Sequence, residues 1–296
     1  IRDRRGNEQN NRLEGRQGSD SLQGFSGNDT LIGGLGNDTL DGGQGADWLY
    51  GEEINSAPNT PGNNTVSYGN SNSSVYVYLD STLGDIHGGD ASGDRLFNIQ
   101  NLIGSAFSDV LAGDNNNNKL EGGAGDDTLI GGAGRGQDSF FGGAGKDTVV
   151  WLDTPGVNGQ TKDFLMMSDP NVDKQFDSIE VLDFQKDSVN TSVLLSANGV
   201  RTISDAGDQS EITLKLSSGD SYVLGPNEIY AIDKNTVYFY ADKVGGQLIA
   251  KVNIDQINSM PPVDTTLQEV AARNVFHSDV YKMQNLTIAD TTKAVD

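Results

Sequence analysis

The sequence predicts an all-β chain in which a repeat solenoid is followed by a β-rich C-terminal domain. Three observations carry this expectation. Glycine returns with a nine-residue period in two blocks, each block keeps one apolar residue in register with its glycines, and the C-terminal half strings short apolar segments between Asn, Asp and Gly turns.

The first block places glycines at Gly6, Gly15, Gly24, Gly33, Gly42 and Gly51 without a break. Its sixth positions read Asn11, Asp20, Asp29, Asp38 and Asp47, and its eighth positions read Leu13, Leu22, Leu31, Leu40 and Leu49. The second block runs Gly104, Gly113, Gly122 and Gly131, then reaches Gly142 after a unit lengthened at Arg135 and Gly136. Here the sixth positions are Asp109, Asn118, Asp127, Asp138 and Asp147, with Leu111, Leu120, Leu129, Phe140 and Val149 as apolar partners. A flexible glycine-rich linker has no reason to keep Leu at every ninth residue.

Composition says what must hold such a chain together. Of 296 residues, 35% are hydrophobic and 7% aromatic, thin material for an ordinary core, and there is no Cys for disulfides or thiolate metal sites. The net charge is −22, which disfavours nucleic acid and anionic membranes as partners. Cations bound by oxygen are the remaining way to staple an acidic chain, with calcium first among them. No apolar run is long enough to span a membrane. The first residue is Ile, so the chain is expected to be a piece of a longer one, with a signal or a domain upstream.

The repeat GGxGxDxUx, seen best in GGLGNDTLD and GGQGADWLY, resembles the RTX (repeats-in-toxin) nonapeptide family. The resemblance implies a parallel β-roll with calcium in the turns. Gly suits the tight turns, and the residues after each Asp make a short strand with its central side chain inward. Two nonapeptides form one coil, so turns eighteen residues apart stack. The implied metal-binding pairs are Asp20 with Asp38, Asp29 with Asp47, Asp109 with Asp127, Asn118 with Asp138, and Asp127 with Asp147. The resemblance adds main-chain carbonyls: Gly18, Gly27, Gly36 and Gly125 at fourth positions, and Gly33, Gly42, Gly122, Gly131 and Gly142 at first positions. The neutral Asn11 and Asn118 predict weaker sites, and the insertion at Arg135 and Gly136 predicts a reshaped turn at Asp138.

Residues 52–103 interrupt the two blocks, 6–53 and 104–150. Val75 to Leu79 read as strand, and Asp94, Asn98 and Asn101 precede Leu102 in a degenerate nonapeptide frame. Residues 6–150, within a first domain of 1–150, are therefore expected to form one calcium-stapled unit. Asp90 and Asp94 are either further ligands or solvated loop carboxylates.

A β-rich domain is expected over 151–260, from strands in TVVWLD, SIEVLDF, EITLKL, SYVLG, NTVYFYAD and GQLIAKVNI, packed on the last coil as a cap. In 261–296, Leu267, Val270, Ala271 and Val275 have helical spacing and predict a short helix. The resemblance implies that this segment belongs to a type I secretion signal.

No catalytic constellation emerges, and the chain is not expected to be an enzyme. Zinc-protease and nucleophile-elbow motifs are missing, and His87 and His277 read as structural. The Asp169-Pro170 bond is either an ordinary turn or a self-cleavage site of the kind some RTX proteins carry. The function expected is a calcium-binding structural or adhesive protein of the cell exterior, such as a surface-layer, matrix or filament subunit. It would leave by type I secretion, fold on calcium outside the cell, and assemble with itself or a surface partner. The alternative is the calcium-binding secretion and folding tail of an RTX enzyme or toxin whose active domain lies upstream.

Overall fold

The computed structural model describes residues 3–52, 62–132, 138–150 and 176–184, with shorter stretches at 192–195, 200–201, 204, 210–216, 221–224, 229–233, 235–241, 244, 247–256 and 268–270. Among them, no helix is long and apolar enough to cross a membrane. The chain divides into two compact units, Ile1–Thr148 and Val149–Asp296.

The first unit opens with β1 (Asp3–Asn7), β2 (Arg12–Gln17), β3 (Ser21–Phe25), β4 (Thr30–Leu35), β5 (Thr39–Asp41) and β6 (Trp48–Tyr50). The interrupting segment contributes β7 (Thr65–Ser67), β8 (Tyr76–Tyr78), β9 (Arg95–Phe97) and β10 (Asn101–Ile103). There follow β11 (Val110–Ala112), β12 (Lys119–Ala124), β13 (Thr128–Ile130), β14 (Ser139–Ala144) and, at the boundary, β15 (Thr148–Val150). The unit is a parallel β-roll. One face is a single sheet in the order β1-β3-β5-β7-β10-β12-β14, whereas the opposite face is two sheets, β2-β4-β6-β9 and β8-β11-β13.

Strand alternation sends the apolar central side chains inward. Leu22, Leu40, Val66, Leu102, Leu120 and Phe140 pair in succession on one wall. Leu31 and Leu49 stack on the other wall, as do Val77, Leu111 and Leu129. These side chains are all at most 1% exposed. Each burial contributes about 1.5–3 kcal/mol, so a one-residue-wide ladder becomes a core only by repetition.

The interruption at 52–103 is woven into the roll. After β7 the chain forms β8, whose partner is β11, and returns antiparallel through a Tyr76–His87 bridge. It then lays β9 on β6 and β10 on β7. Outside β6 and β9, Trp48 stacks on Phe97, Phe97 on Tyr50, and the Arg95 guanidinium lies 4.9 Å from the Trp48 ring centre.

The second unit is also β-structure: β16 (Phe176–Asp177), β17 (Val181–Asp183), β18 (Ser192–Leu195), β19 (Ser210–Leu216), β20 (Ser221–Leu224), β21 (Ile229–Asp233), β22 (Thr236–Tyr240), β23 (Leu248–Gln256) and β24 (Gln268–Val270). β17, β19 and β23 run parallel, β23, β22, β21 and β24 continue antiparallel, and β18 pairs with β20. Its core holds Leu182, Ile212, Leu214, Val237, Phe239 and Val252. The helix expected around Leu267 to Val275 is corrected at Gln268–Val270, which adds to the free edge of β21 as a strand. Backbone pairing at an open edge overrides a weak helical pattern. The rest of that run lies outside the described residues.

Candidate metal-binding turns

From β2 onwards the residue before each strand of the roll faces inward at a turn, and Asp38 shows how the turn works. It is 1% exposed, and its Oδ1 accepts the Asp20 amide at 2.7 Å. Glycine is required at position 33, because a Cβ there would stand 2.4 Å from Asp38 Oδ2. At Gly36, φ is +126° and a Cβ would lie 2.4 Å from the Gly18 carbonyl oxygen. Glycine thus lets carboxylates and carbonyl oxygens crowd into the turn.

The same bond recurs up three columns. Asn11 donates its amide to Asp29, Asp29 to Asp47 and Asp47 to Asp94, at 2.6, 2.7 and 2.8 Å. Asp38 donates to Asn64 at 3.0 Å and Asn64 to Gln100 at 2.8 Å, extending the column from Asp20. In the later coils, Val75 donates to Asp109, Asp109 to Asp127 and Asp127 to Asp147, at 2.7 to 2.8 Å. Asn118, on the coil after Gln100, continues the Asp20 column and donates to Asp138 at 2.8 Å.

These carboxylates are costly to bury. Desolvation raises the carboxyls of Asp29, Asp38 and Asp109, pushes Asp47 up to about 6, and pushes Asp94, Asp127 and Asp138 up to about 7, with main-chain donors pulling the other way. Oδ2 of Asp29, Asp38, Asp47 and Asp127 is buried without a hydrogen-bond donor. An unmet buried anion beside carbonyl oxygens calls for a hard cation, and an all-oxygen donor set suits calcium. Among the described residues no three acidic or His side chains converge as a metal cluster. A site made of one carboxylate per turn plus main-chain carbonyls has no such cluster, so the residues fit calcium on the donor set the turns provide.

A model of the RTX calcium-binding nonapeptide repeat matches four times, over residues 5–40, 23–53, 103–137 and 133–150. The two blocks are RTX calcium-binding repeats. They bind calcium, and they cover about a third of the chain. No curated protein matches the sequence.

Within the RTX roll, each side-chain pair expected to share an ion stands in adjacent turns joined by one of the bonds above. Gly18, Gly27, Gly36 and Gly125 all have positive φ, from 109° to 126°. The carbonyls of Gly33, Gly42, Gly122, Gly131 and Gly142 each face the first glycine of the coil before, at 2.3 to 3.0 Å from where its Cβ would be. The Oδ1 atoms of Asn11 and Asn118 accept the amides of Asn7 and Asp114. Arg135 and Gly136 lie outside the described residues, as do His277 and Asp169-Pro170.

The sequence reading missed Asn64 and Gln100 as turn residues, and it left Asp94 between two roles. Asp94 is not a solvated loop carboxylate: it is 6% exposed and occupies a turn position in the Asp29–Asp47 column. The available signal was an Asp, Asn or Gln two residues before a lone apolar strand centre, as in Asn64–Val66, Asp94–Leu96 and Gln100–Leu102. His87 packs face to face on Tyr76 with ring centres 4.6 Å apart, and its Nδ1 lies 2.7 Å from the Asp85 carbonyl.

Proposed function

We propose that this chain is a secreted structural or adhesive module of the cell exterior whose roll folds on calcium after export. The observation that carries the reading is the set of columns of buried, half-satisfied carboxylates. Such turns fold only where calcium is plentiful. Extracellular modules bind calcium at about 0.1–1 mM, far above cytosolic levels, which keeps the repeat blocks unfolded during passage and folds them outside. The acidic side chains of the turns are committed to the scaffold, and His87 is held by packing and backbone pairing, which supports binding or assembly in place of turnover. Trp48 and Phe97, 42% and 38% exposed on the outer face, offer contact surface. Calcium bridges between chains of net charge −22 would favour self-association.

The test is sedimentation of the purified chain in millimolar calcium and in EDTA, with binding to whole cells assayed alongside. Larger species or surface decoration in calcium alone are expected. A chain that stays monomeric, binds no surface and hydrolyses a polysaccharide or peptide overturns the reading. An upstream catalytic domain in the full gene would assign the chain instead to the folding and secretion tail of an RTX enzyme or toxin.

A further inference from the structure

The turn positions of residues 62–118 differ chemically from those of the arms on either side. In the arms, Asp29, Asp38, Asp47 and Asp127 keep an oxygen without a donor. In the middle, both oxygens of Asp94 are satisfied: Oδ1 accepts the Asp47 amide at 2.8 Å, and Oδ2 accepts the hydroxyl of Tyr68 at 3.0 Å. Tyr68 is itself only 2% exposed. Asp109 is satisfied in another way, with Oδ1 accepting the Val75 amide at 2.7 Å, Oδ2 accepting the Ser105 amide, and the Ser105 hydroxyl within reach of both oxygens, 2.8 Å from Oδ1 and 3.0 Å from Oδ2. Ser105 occupies the position that glycine takes in the best repeats, such as Gly34, Gly43 and Gly123.

The remaining middle positions carry no charge. Asn64 and Gln100 accept the amides of Asp38 and Asn64 through neutral side chains. Asn118 accepts the Asp114 amide and donates from Nδ2 to the Gln100 carbonyl at 2.8 Å. Below Asp109 the column ends in Val75, an apolar side chain that is fully buried. Asn101 reaches across to Asn63 and Thr65 from the neighbouring strand.

We propose that Tyr68 and Ser105 stand in for calcium at the Asp94 and Asp109 turns, so that residues 62–118 form a metal-independent clasp joining two calcium-dependent arms. A hydroxyl supplies the polar partner that an ion supplies elsewhere, and a satisfied carboxylate has no unmet oxygen that requires one. The clasp has its own apolar interior in Val66, Tyr68, Val75, Val77, Ile99, Leu102 and Leu111. Its weave, with β8 reaching forward to β11 and β9 reaching back to β6, keeps the ends of both arms in register when calcium is withdrawn. Refolding then starts from two prepared ends.

This inference rests on the calcium-dependent folding of the arms, and the experiment separates the two. Amide hydrogen exchange is followed by mass spectrometry on the full chain, stepped from millimolar calcium into EDTA. Peptides from residues 3–52 and 119–150 should lose protection while those from 62–118 keep most of theirs. Loss across all three regions at one calcium concentration overturns the clasp and leaves the arms' dependence intact. Retained protection in the arms overturns both. Tyr68→Phe, which removes only the hydroxyl, should make protection of the middle region calcium-dependent, and Ser105→Ala, which leaves Asp109 its two amide donors, should do so more weakly and only around Asp109. Variants whose middle region responds to calcium as the wild type does would show that these hydroxyls do not stand in for the ion.

Discussion

The backbone amide of Asp20 donates to Oδ1 of Asp38 at 2.7 Å, tying together residues eighteen apart, while Oδ2 of Asp38 receives no donor. One carboxylate therefore does two separable things: Oδ1 sets the spacing of coils, and Oδ2 waits for an ion. Asp38→Asn separates them, since Asn64 shows that a neutral amide can accept the same kind of bond. The variant should be less stable than wild type in saturating calcium, and its deficit should shrink as calcium is lowered, because the unmet buried anion it removes costs about 1–3 kcal/mol where no ion is bound. Urea unfolding of both proteins at several calcium concentrations that still fold the arm gives the values. An equal loss at every concentration would mean that Oδ2 is no ligand.

Asp127 sits between two neighbours, its Oδ1 accepting the Asp109 amide and its own amide reaching Asp147 Oδ1, both at 2.8 Å. With Ser105 in place of an ion at the Asp109 turn, removing either Asp127 or Asp147 should cost the one ion the two share. Calorimetric titration of Asp127→Ala and Asp147→Ala measures the bound calcium. A deficit for Asp127→Ala twice that for Asp147→Ala would mean that the Asp109 turn holds an ion as well, against the clasp.

Gly36→Ala should destabilise the first arm by about 1–3 kcal/mol through its positive φ, and should also displace the Gly18 carbonyl, an expected ligand. Its calcium midpoint should rise. Gly69→Ala is the control, because a Cβ there meets only Ser67 Oγ at 3.5 Å and Gly104 O at 3.9 Å. Thermal unfolding at fixed calcium compares them, and a Gly36→Ala curve that overlays the Gly69→Ala curve would remove the steric basis of the turn.

How far the sequence could be read depended on which constraint repeated. Asp20, Asp29, Asp38 and Asp47 were legible because turn, strand and core demands recur every nine residues, and stacking survives the lengthened unit, since Asp127 still bonds Asp147 twenty residues on. The middle segment was legible only at Val75 to Leu79, which read as strand and contain β8, because a solenoid fixes the rung and leaves the connection free. Asn64 follows Asp38 by 26 residues and Asp94 follows Asp47 by 47, and both still land in their columns. Nothing local announces that β8 skips forward to β11, or that Tyr68 will meet Asp94. Those are pairings of distant residues, decided by packing.

Leu31 tests whether core and ions act as one system. It is fully buried and pairs with Leu13 and Leu49 on the coils before and after. Leu31→Ala should cost about 2–5 kcal/mol in transfer and cavity terms. Because the arm folds with its ions, the loss should appear as a higher calcium requirement at constant temperature. A loss of about 3 kcal/mol is offset by a rise in free calcium of roughly a hundredfold if one ion is taken up on folding, but only about fivefold if three bind together. The columns predict the smaller shift, since each inner carboxylate is shared by successive turns. Circular dichroism along a calcium titration of wild type and Leu31→Ala reads it directly. A hundredfold shift would mean that ions enter one at a time, and an unchanged midpoint would mean that the leucine ladder and the calcium turns are not coupled.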